Sequence, residues 1–217
     1  ALERLSGNMD HFSFHRRPNP TKAEHRVNPI EIIEEKEIEH RALQNYLSSR
    51  SISIKTARIL CKEIHYRIGG RTYFGIGLQN RSGGWELRNS YWKGSTSPKD
   101  VSMMGNKSKK LAITEGMFDM LTLIELMADI VNSHDLLVLN TTAFVKRMIK
   151  EIEDYENVKL FLDRDKTGLG MTELLLEKCP NSRDISFLYE GFKDINEWKV
   201  KSAKDEVRKR IQDVSLS

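Results

Sequence analysis

Cysteine is nearly missing from this 217-residue chain, which holds only Cys61 and Cys179. Two isolated thiols build neither a disulfide framework nor a Cys-based zinc site, and they fit a reducing cytoplasm. Long apolar runs are missing too, since no stretch reaches the ~18 residues of a membrane-crossing helix. The N-terminus, ALERLSGNMD, has no basic-then-apolar leader pattern. Proline is scarce, five in all, and Pro18, Pro20 and Pro29 fall in the polar opening segment. Internal repeats and low-complexity tracts are absent. What remains is a soluble globular chain, whose 39% hydrophobic and 30% charged residues suit a packed core.

The net charge of +4 says little, but its distribution says more. Residues 71–110 carry eight Lys/Arg against Glu86 and Asp100, a net of +6. Residues 111–200 carry 17 acids and 10 bases, a net of −7. A basic segment followed by an acidic one fits an anion-binding surface beside a cation site, or equally an ordinary charged surface.

Residues 1–29 read as a tail or linker. Helical spacing at Ile38, Ala42, Leu43, Tyr46 and Leu47 predicts a helix within 29–50, and a second, capped by Ser53, over 53–64. Residues 66–94 then alternate, rich in aromatic and β-branched side chains, and turn at Gly69-Gly70 and Gly83-Gly84 as hairpins do. So 30–109 is expected to be a mixed α+β unit. From Lys110 the texture becomes short apolar strands (111–114, 136–140, 158–163, 184–189) separated by helical stretches (117–130, 143–155, 169–178). That alternation predicts an α/β domain with a parallel sheet over 110–200, and a C-terminal helix over 201–217.

Ligands of such sheets bind at the carboxyl ends of the strands. There the chain places Glu115-Gly116, then Asp163-Arg164-Asp165 with Gly168, then Lys193-Asp194. Residues i and i+2 of an extended chain point the same way, so Asp163 and Asp165 can face one ion. Converging carboxylates repel unless a divalent cation neutralises them, and an oxygen-only set favours Mg²⁺ or Mn²⁺. Glu115, Asp163, Asp165 and Asp194 are the expected ligands. Gly116 and Gly168 allow tight turns and close approach of a phosphate. Plainer roles compete: Glu115 as an acid at a helix N-terminus, and Asp194 as a helix cap.

These marks resemble the Toprim domain shared by DnaG-type bacterial primases, topoisomerases and some nucleases. The segments YLSSRSIS (46–53), YFGIGLQNRSGGWELRN (73–89) and GSTSPKD (94–100) resemble the basic subdomain preceding Toprim in the primase RNA-polymerase core. The resemblance covers about 30–200. It implies a Toprim-type fold, a nucleotidyltransferase that makes RNA primers, and Mg²⁺ held by the aspartates, with Glu115 in metal contact or acid/base work. It also implies single-stranded DNA and nucleoside triphosphates as partners. Where primases carry a Gly-Thr turn, Asn140 replaces the glycine and Thr141 keeps the threonine. Where they carry Lys-Asp-Pro-Asp this chain has KDIN, with Asn196 in place of the last acid.

ALERLSG is similar to the end of a primase zinc-binding domain, so zinc is expected only in a preceding domain. The expected source is a small primase of a mobile element, working with a replicative helicase or the element's own replication proteins. Arg88, Lys93, Lys99 and Lys107 are the expected phosphate contacts. Lys109 and Lys110 read as a solvated strand lead-in. Trp85 and Tyr91 could stack bases, but in an alternating strand they read more simply as sheet-face residues. A Toprim nuclease and a non-catalytic nucleic-acid-binding module remain alternatives. A topoisomerase needs a tyrosine-bearing cleavage domain and more chain.

Overall fold

The computed structural model describes residues 30–105 and 107–215; the expected tail over 1–29 lies outside the described residues. Two five-stranded sheets follow one another along the chain. The first is antiparallel throughout: β1 (Glu31–Lys36), β2 (Cys61–Ile68), β3 (Arg71–Gln79), β4 (Trp85–Arg88) and β5 (Lys93–Ser95) lie in sequence order. At the β2–β3 turn Gly69 and Gly70 take φ of 55° and 79°, the left-handed values that a two-residue hairpin loop demands. Helices α1 (Arg41–Ser49) and α2 (Ile54–Leu60) join β1 to β2, and Ser53 caps α2 by accepting from the Thr56 N–H at 3.1 Å.

The second sheet has the order β10-β9-β7-β8-β6. Strands β7 (Lys110–Thr114), β8 (Asp135–Val138), β9 (Asn157–Phe161) and β10 (Ser182–Asp184) are parallel. The edge strand β6 (Ser102–Met104) runs antiparallel to β8. Helices α3 (Met117–Leu126), α4 (Ile130–Ser133), α5 (Val145–Glu153), α6 (Lys166–Lys178), α7 (Ile195–Lys201) and α8 (Lys204–Ser215) flank it. The architecture is thus an antiparallel sheet with helices, followed by a mixed, mostly parallel sheet covered on both faces.

Strand alternation sorts the core. Leu111, Ile113, Leu137, Val158 and Leu160 face α5 and α6, where Val145, Met148, Ile152 and Leu175 meet them. Ala112, Leu136, Val138 and Phe161 face the other way, onto α3 and α7. That second cluster also takes in Leu43, Leu47, Ile76 and Leu78, so one apolar core spans both sheets. The outer face of the first sheet buries Ile64, Tyr66, Trp85 and Leu87.

Three local expectations are revised. Residues 31–36 form an edge strand rather than the first turns of a helix. Ile32 and Glu34–Lys36 pair with β2, and α1 starts only after His40, whose Nδ1 accepts from the Ala42 N–H at 3.1 Å. The second helix stops at Leu60, because Cys61–Ile68 pairs along its whole length with β3. The last parallel strand is 182–184, and 186–189 is a 3₁₀ turn. β6, at three residues, is too short to carry a legible period.

Candidate active site

Every acidic station lies at the carboxyl edge of the parallel sheet, because each follows a strand directly or through a short turn. Glu115 follows β7, Asp163 lies two residues past β9, and Asp194 opens α7. The tightest carboxylate group at this edge is Asp119, Asp163 and Asp194, with one oxygen from each within 4.8 Å of the others. Asp119 was not among the residues singled out from sequence. It sits four residues after Glu115, on the first turn of α3, so one turn of helix returns it to the same edge. An acid in the first turn of the apolar helix MFDMLTLIEL was the available signal.

The electrostatics are those of a crowded anionic pocket. Burial raises the Asp119 carboxyl well above the usual range, and the charges of Asp194 and Asp163 raise it further. Burial also raises Asp163, although Lys193, with Nζ 3.1 Å from Asp163 Oδ2, opposes the shift. Glu115 is raised to about 7, by burial first and then by repulsion from Asp163 and Asp165; Lys193 and Lys93 pull it back. Its Oε2 is buried without a hydrogen-bond partner. An orphaned carboxylate oxygen beside three converging acids, with no nitrogen or sulfur donor among them, fits a hard divalent cation. Asp119, Asp163 and Asp194 are the residues placed to hold it.

Asp165 is placed differently. Its Oδ1 caps α6, accepting from the N–H groups of Thr167 and Gly168 at 3.0 Å each, and the Gly168 contact holds its carboxyl below the usual range. It lies outside the group of three acids, though its Oδ2 is 3.7 Å from Lys193 Nζ. Asp194 combines both roles considered for it. Its Oδ1 accepts from the Glu197 N–H at 2.7 Å, capping α7, while the residue also joins the acidic group.

Gly168 serves close packing rather than a left-handed turn, since a Cβ there would come within 2.0 Å of the Asp163 carbonyl oxygen. At Gly116 a Cβ would meet Asp119 Oδ2 at 3.0 Å, so this glycine leaves room for the acid. Thr141 caps a 3₁₀ turn through the Ala143 N–H. Asn140 has φ 61°, a left-handed conformation that asparagine tolerates in place of glycine. Its Nδ2 donates to Asp100 O and Ser102 Oγ, tying the turn after β8 to the link between the sheets.

A cavity of about 280 Å³ joins this edge to the first sheet. Glu115, Asp119, Asp163, Lys193 and Asp194 line one side, and Tyr46, Arg50, Glu86, Arg88 and Lys93 line the other. Arg88 and Lys93 are register partners on β4 and β5, which places them side by side. Burial raises Glu86, two residues before Arg88 on β4, to about 6, against the pull of Arg88, Lys99 and Lys93. Arg50 is a second residue that the sequence did not single out; its guanidinium lies 5.2 Å from the Phe118 ring centroid, and its charge lowers Asp119. Lys99 lies outside the cavity lining, exposed, although its charge reaches Glu86. Lys107 precedes β7, so it sits at the opposite edge of the sheet, about 17 Å of strand away from Glu115. Trp85 is buried in the outer core, whereas Tyr91 is almost wholly exposed.

Residues 112–198 match the family model described as Toprim-like, and residues 32–97 match one described as a domain of unknown function (DUF8464). No curated protein matches the sequence. Among solved structures, the chain is similar to the primase fragment of the bacteriophage T7 primase-helicase protein. The TM-score is 0.60 at 19% identity, covering 90% of this chain and 83% of that one. A chain from the T7 lagging-strand DNA polymerase complex with primase domains bound to an RNA/DNA hybrid and dTTP gives 0.57 at 21% identity, covering 82% and 97%. The Aquifex aeolicus primase, zinc-binding and RNA polymerase domains, gives 0.57 at 15% identity, covering 82% of this chain and 57% of that one. Residues 112–198 therefore form a Toprim-like domain, and the described residues share the fold of these primase structures.

Proposed function

We propose that this chain is the catalytic core of a DNA primase, which joins ribonucleotides into short RNA primers on a single-stranded DNA template. One observation carries the reading: the acids of the Toprim edge and the cations of the first sheet line a single cavity. A nuclease needs only the acidic edge. A polymerising site also has to hold a triphosphate, and Arg88 and Lys93 face the acids, with Lys193 among them, where one would lie.

In primer synthesis a 3′-hydroxyl attacks the α-phosphate of a nucleoside triphosphate. An oxygen–phosphorus bond forms, the bridging bond to the β-phosphate breaks, and pyrophosphate leaves. Mg²⁺ or Mn²⁺ held by Asp119, Asp163 and Asp194 would neutralise the triphosphate and acidify the hydroxyl. Glu115, with a carboxyl held near neutrality and one oxygen free, is placed to take the hydroxyl proton. Arg88 and Lys93 hold phosphate oxygens from the opposite wall. Lys193, paired with Asp163, offers its ammonium to the leaving pyrophosphate. Asp165 fixes the start of α6 and, through Lys193, the orientation of that cation.

A helicase or mobile-element replication protein would bring the template. The test is primer synthesis on single-stranded DNA with labelled ribonucleotides and Mg²⁺, with Asp163→Asn as the control. Primase activity yields short RNA products in the wild type and none in the variant. Cleavage of labelled RNA without synthesis would replace this reading with a Toprim nuclease.

A further inference from the structure

Beside the main cavity lies a second one, of about 250 Å³, between α1 and the tip of the β4–β5 hairpin. Ala42, Leu43, Thr72, Phe74, Asn89 and Tyr91 contribute to its wall. Tyr91 is 96% exposed, and a single exposed aromatic side chain is ordinary on its own. The loop that carries it is not ordinary. Asn89 Oδ1 accepts from the N–H groups of Tyr91 and Trp92 at 3.0 and 2.9 Å, and Asn89 Nδ2 donates to Phe74 O at 2.9 Å. Trp92 is stacked on Tyr66, with ring centroids 5.4 Å apart. Neighbours on both sides of Tyr91 are thus pinned, and its ring alone stands in solvent over an apolar groove.

The groove is built on the same helix and hairpin as the site of the proposed reaction. Ala42 lines this cavity, while Tyr46 and Arg50 line the main one. The three residues lie one helical turn apart along α1, about 6 Å per step. Phe74, in the groove wall, and Ile76 share a sheet face, and Ile76 is the register partner of Arg88, in the wall of the main cavity. The cross-strand pair Arg88 and Lys93, in the wall of the main cavity, brackets Tyr91 in the chain at three and two residues' distance. A cationic pair followed by an exposed aromatic on a rigid loop is the arrangement that holds one phosphate of a single strand and stacks the next base.

We propose that Tyr91 and the α1–hairpin groove form a nucleobase-stacking subsite for single-stranded nucleic acid leading into the active site, an inference that rests on the primase reading. Stacking uses the π-face of any base, so the subsite is sequence-tolerant. It adds to affinity without neutralising a phosphate.

The test is fluorescence anisotropy of a labelled oligothymidylate with the full 217-residue chain in Mg²⁺, across a salt series. Tyr91→Ala should weaken binding about 5- to 150-fold, the range of one lost base stack, and leave the log–log salt slope unchanged. Tyr91→Phe keeps the ring and should stay within about twofold of wild type. A wild-type titration with an oligonucleotide carrying abasic positions should fall to the affinity of Tyr91→Ala, and the two losses should not add. Because Tyr91 is exposed, thermal melting of each variant should match wild type. Unchanged affinity in Tyr91→Ala, an altered salt slope, or additive losses would overturn the subsite while leaving the primase reading in place. Absence of oligonucleotide binding by the wild type would overturn both.

Discussion

Asn196 Nδ2 donates to the main-chain carbonyl of Arg50 at 2.9 Å, across 146 residues of sequence, and to Thr122 Oγ1 at 2.7 Å. The side chain is fully buried, and it links α7, α3 and the end of α1, the elements that enclose the acidic edge. In the primase pattern KDPD this position is an acid. An aspartate here could not donate to Arg50 O and would set a carboxylate against a carbonyl oxygen. Asn196→Asp is therefore expected to destabilise the fold by about 3 kcal/mol, and Asn196→Ala by about 1–3 kcal/mol. Chemical denaturation at neutral pH checks both. An Asp variant as stable as wild type would show that a second acid is tolerated at this joint.

Asp119 should separate stability from function. Its carboxyl is buried and raised by Asp194 and Asp163, so ionising it costs folding free energy. Asp119→Asn removes that repulsion while keeping the shape. Without divalent ions the variant should melt at the wild-type temperature or a few degrees higher, and Mn²⁺ titration calorimetry should register at least a tenfold loss of affinity. Unaltered Mn²⁺ affinity would leave Asp163, Asp194 and other acids as the ligand set.

Glu115 should give a measurable pH dependence. Its folded pKa is about 7, against 4.5 for an ordinary glutamate. Below 4.5 both states are protonated and there is no penalty. Between 4.5 and 7 the folded state binds more protons than the unfolded one, so stability falls as pH rises and then levels off. His134, held down to about 4 by burial, adds a slope of opposite sign between about 4 and 6.5. The difference between wild type and Glu115→Gln cancels His134 and should reveal the falling limb. Saturating Mn²⁺ should flatten it.

Salt dependence should sort the basic residues by position. Arg88→Ala and Lys93→Ala, from the cavity wall, should each lower the slope of single-strand affinity against salt by about 0.7. Lys107→Ala, at the far edge of the sheet, should leave it unchanged. A drop with Lys107→Ala would place the nucleic-acid path across the opposite end of the Toprim domain.

Gly168→Ala should damage the site through the backbone. The added Cβ would collide with the Asp163 carbonyl oxygen at 2.0 Å, so either α6 or the Asp163 segment must move. A loss of about 1–3 kcal/mol is expected, as for an overpacked core, together with weaker Mn²⁺ binding. Gly170→Ala, in the same helix with open space around it, is the matched control.

The α/β class, the hairpin glycines and the carboxyl-edge placement of Glu115, Asp163 and Asp194 were all legible in the sequence. Each depends on a local rule: a period of two, a left-handed turn, a strand ending in polar residues. β1 was misread because EIIEEK lacks a clear period of two, and only its pairing with β2 makes it a strand. Asp119 was hidden because an acid in an apolar helix declares no direction until the helix is placed. Asp163 and Asp165 share a side in an extended chain, and each has an Oδ2 near Lys193 Nζ, but only the start of α6 at Lys166 decides that Asp165 Oδ1 caps that helix. The meeting of Arg88 and Lys93 with the acids depends on how two sheets pack around one core, a relation between segments far apart in the chain. Local propensity chose the elements and the chemistry at their ends, and long-range packing decided which of those ends meet.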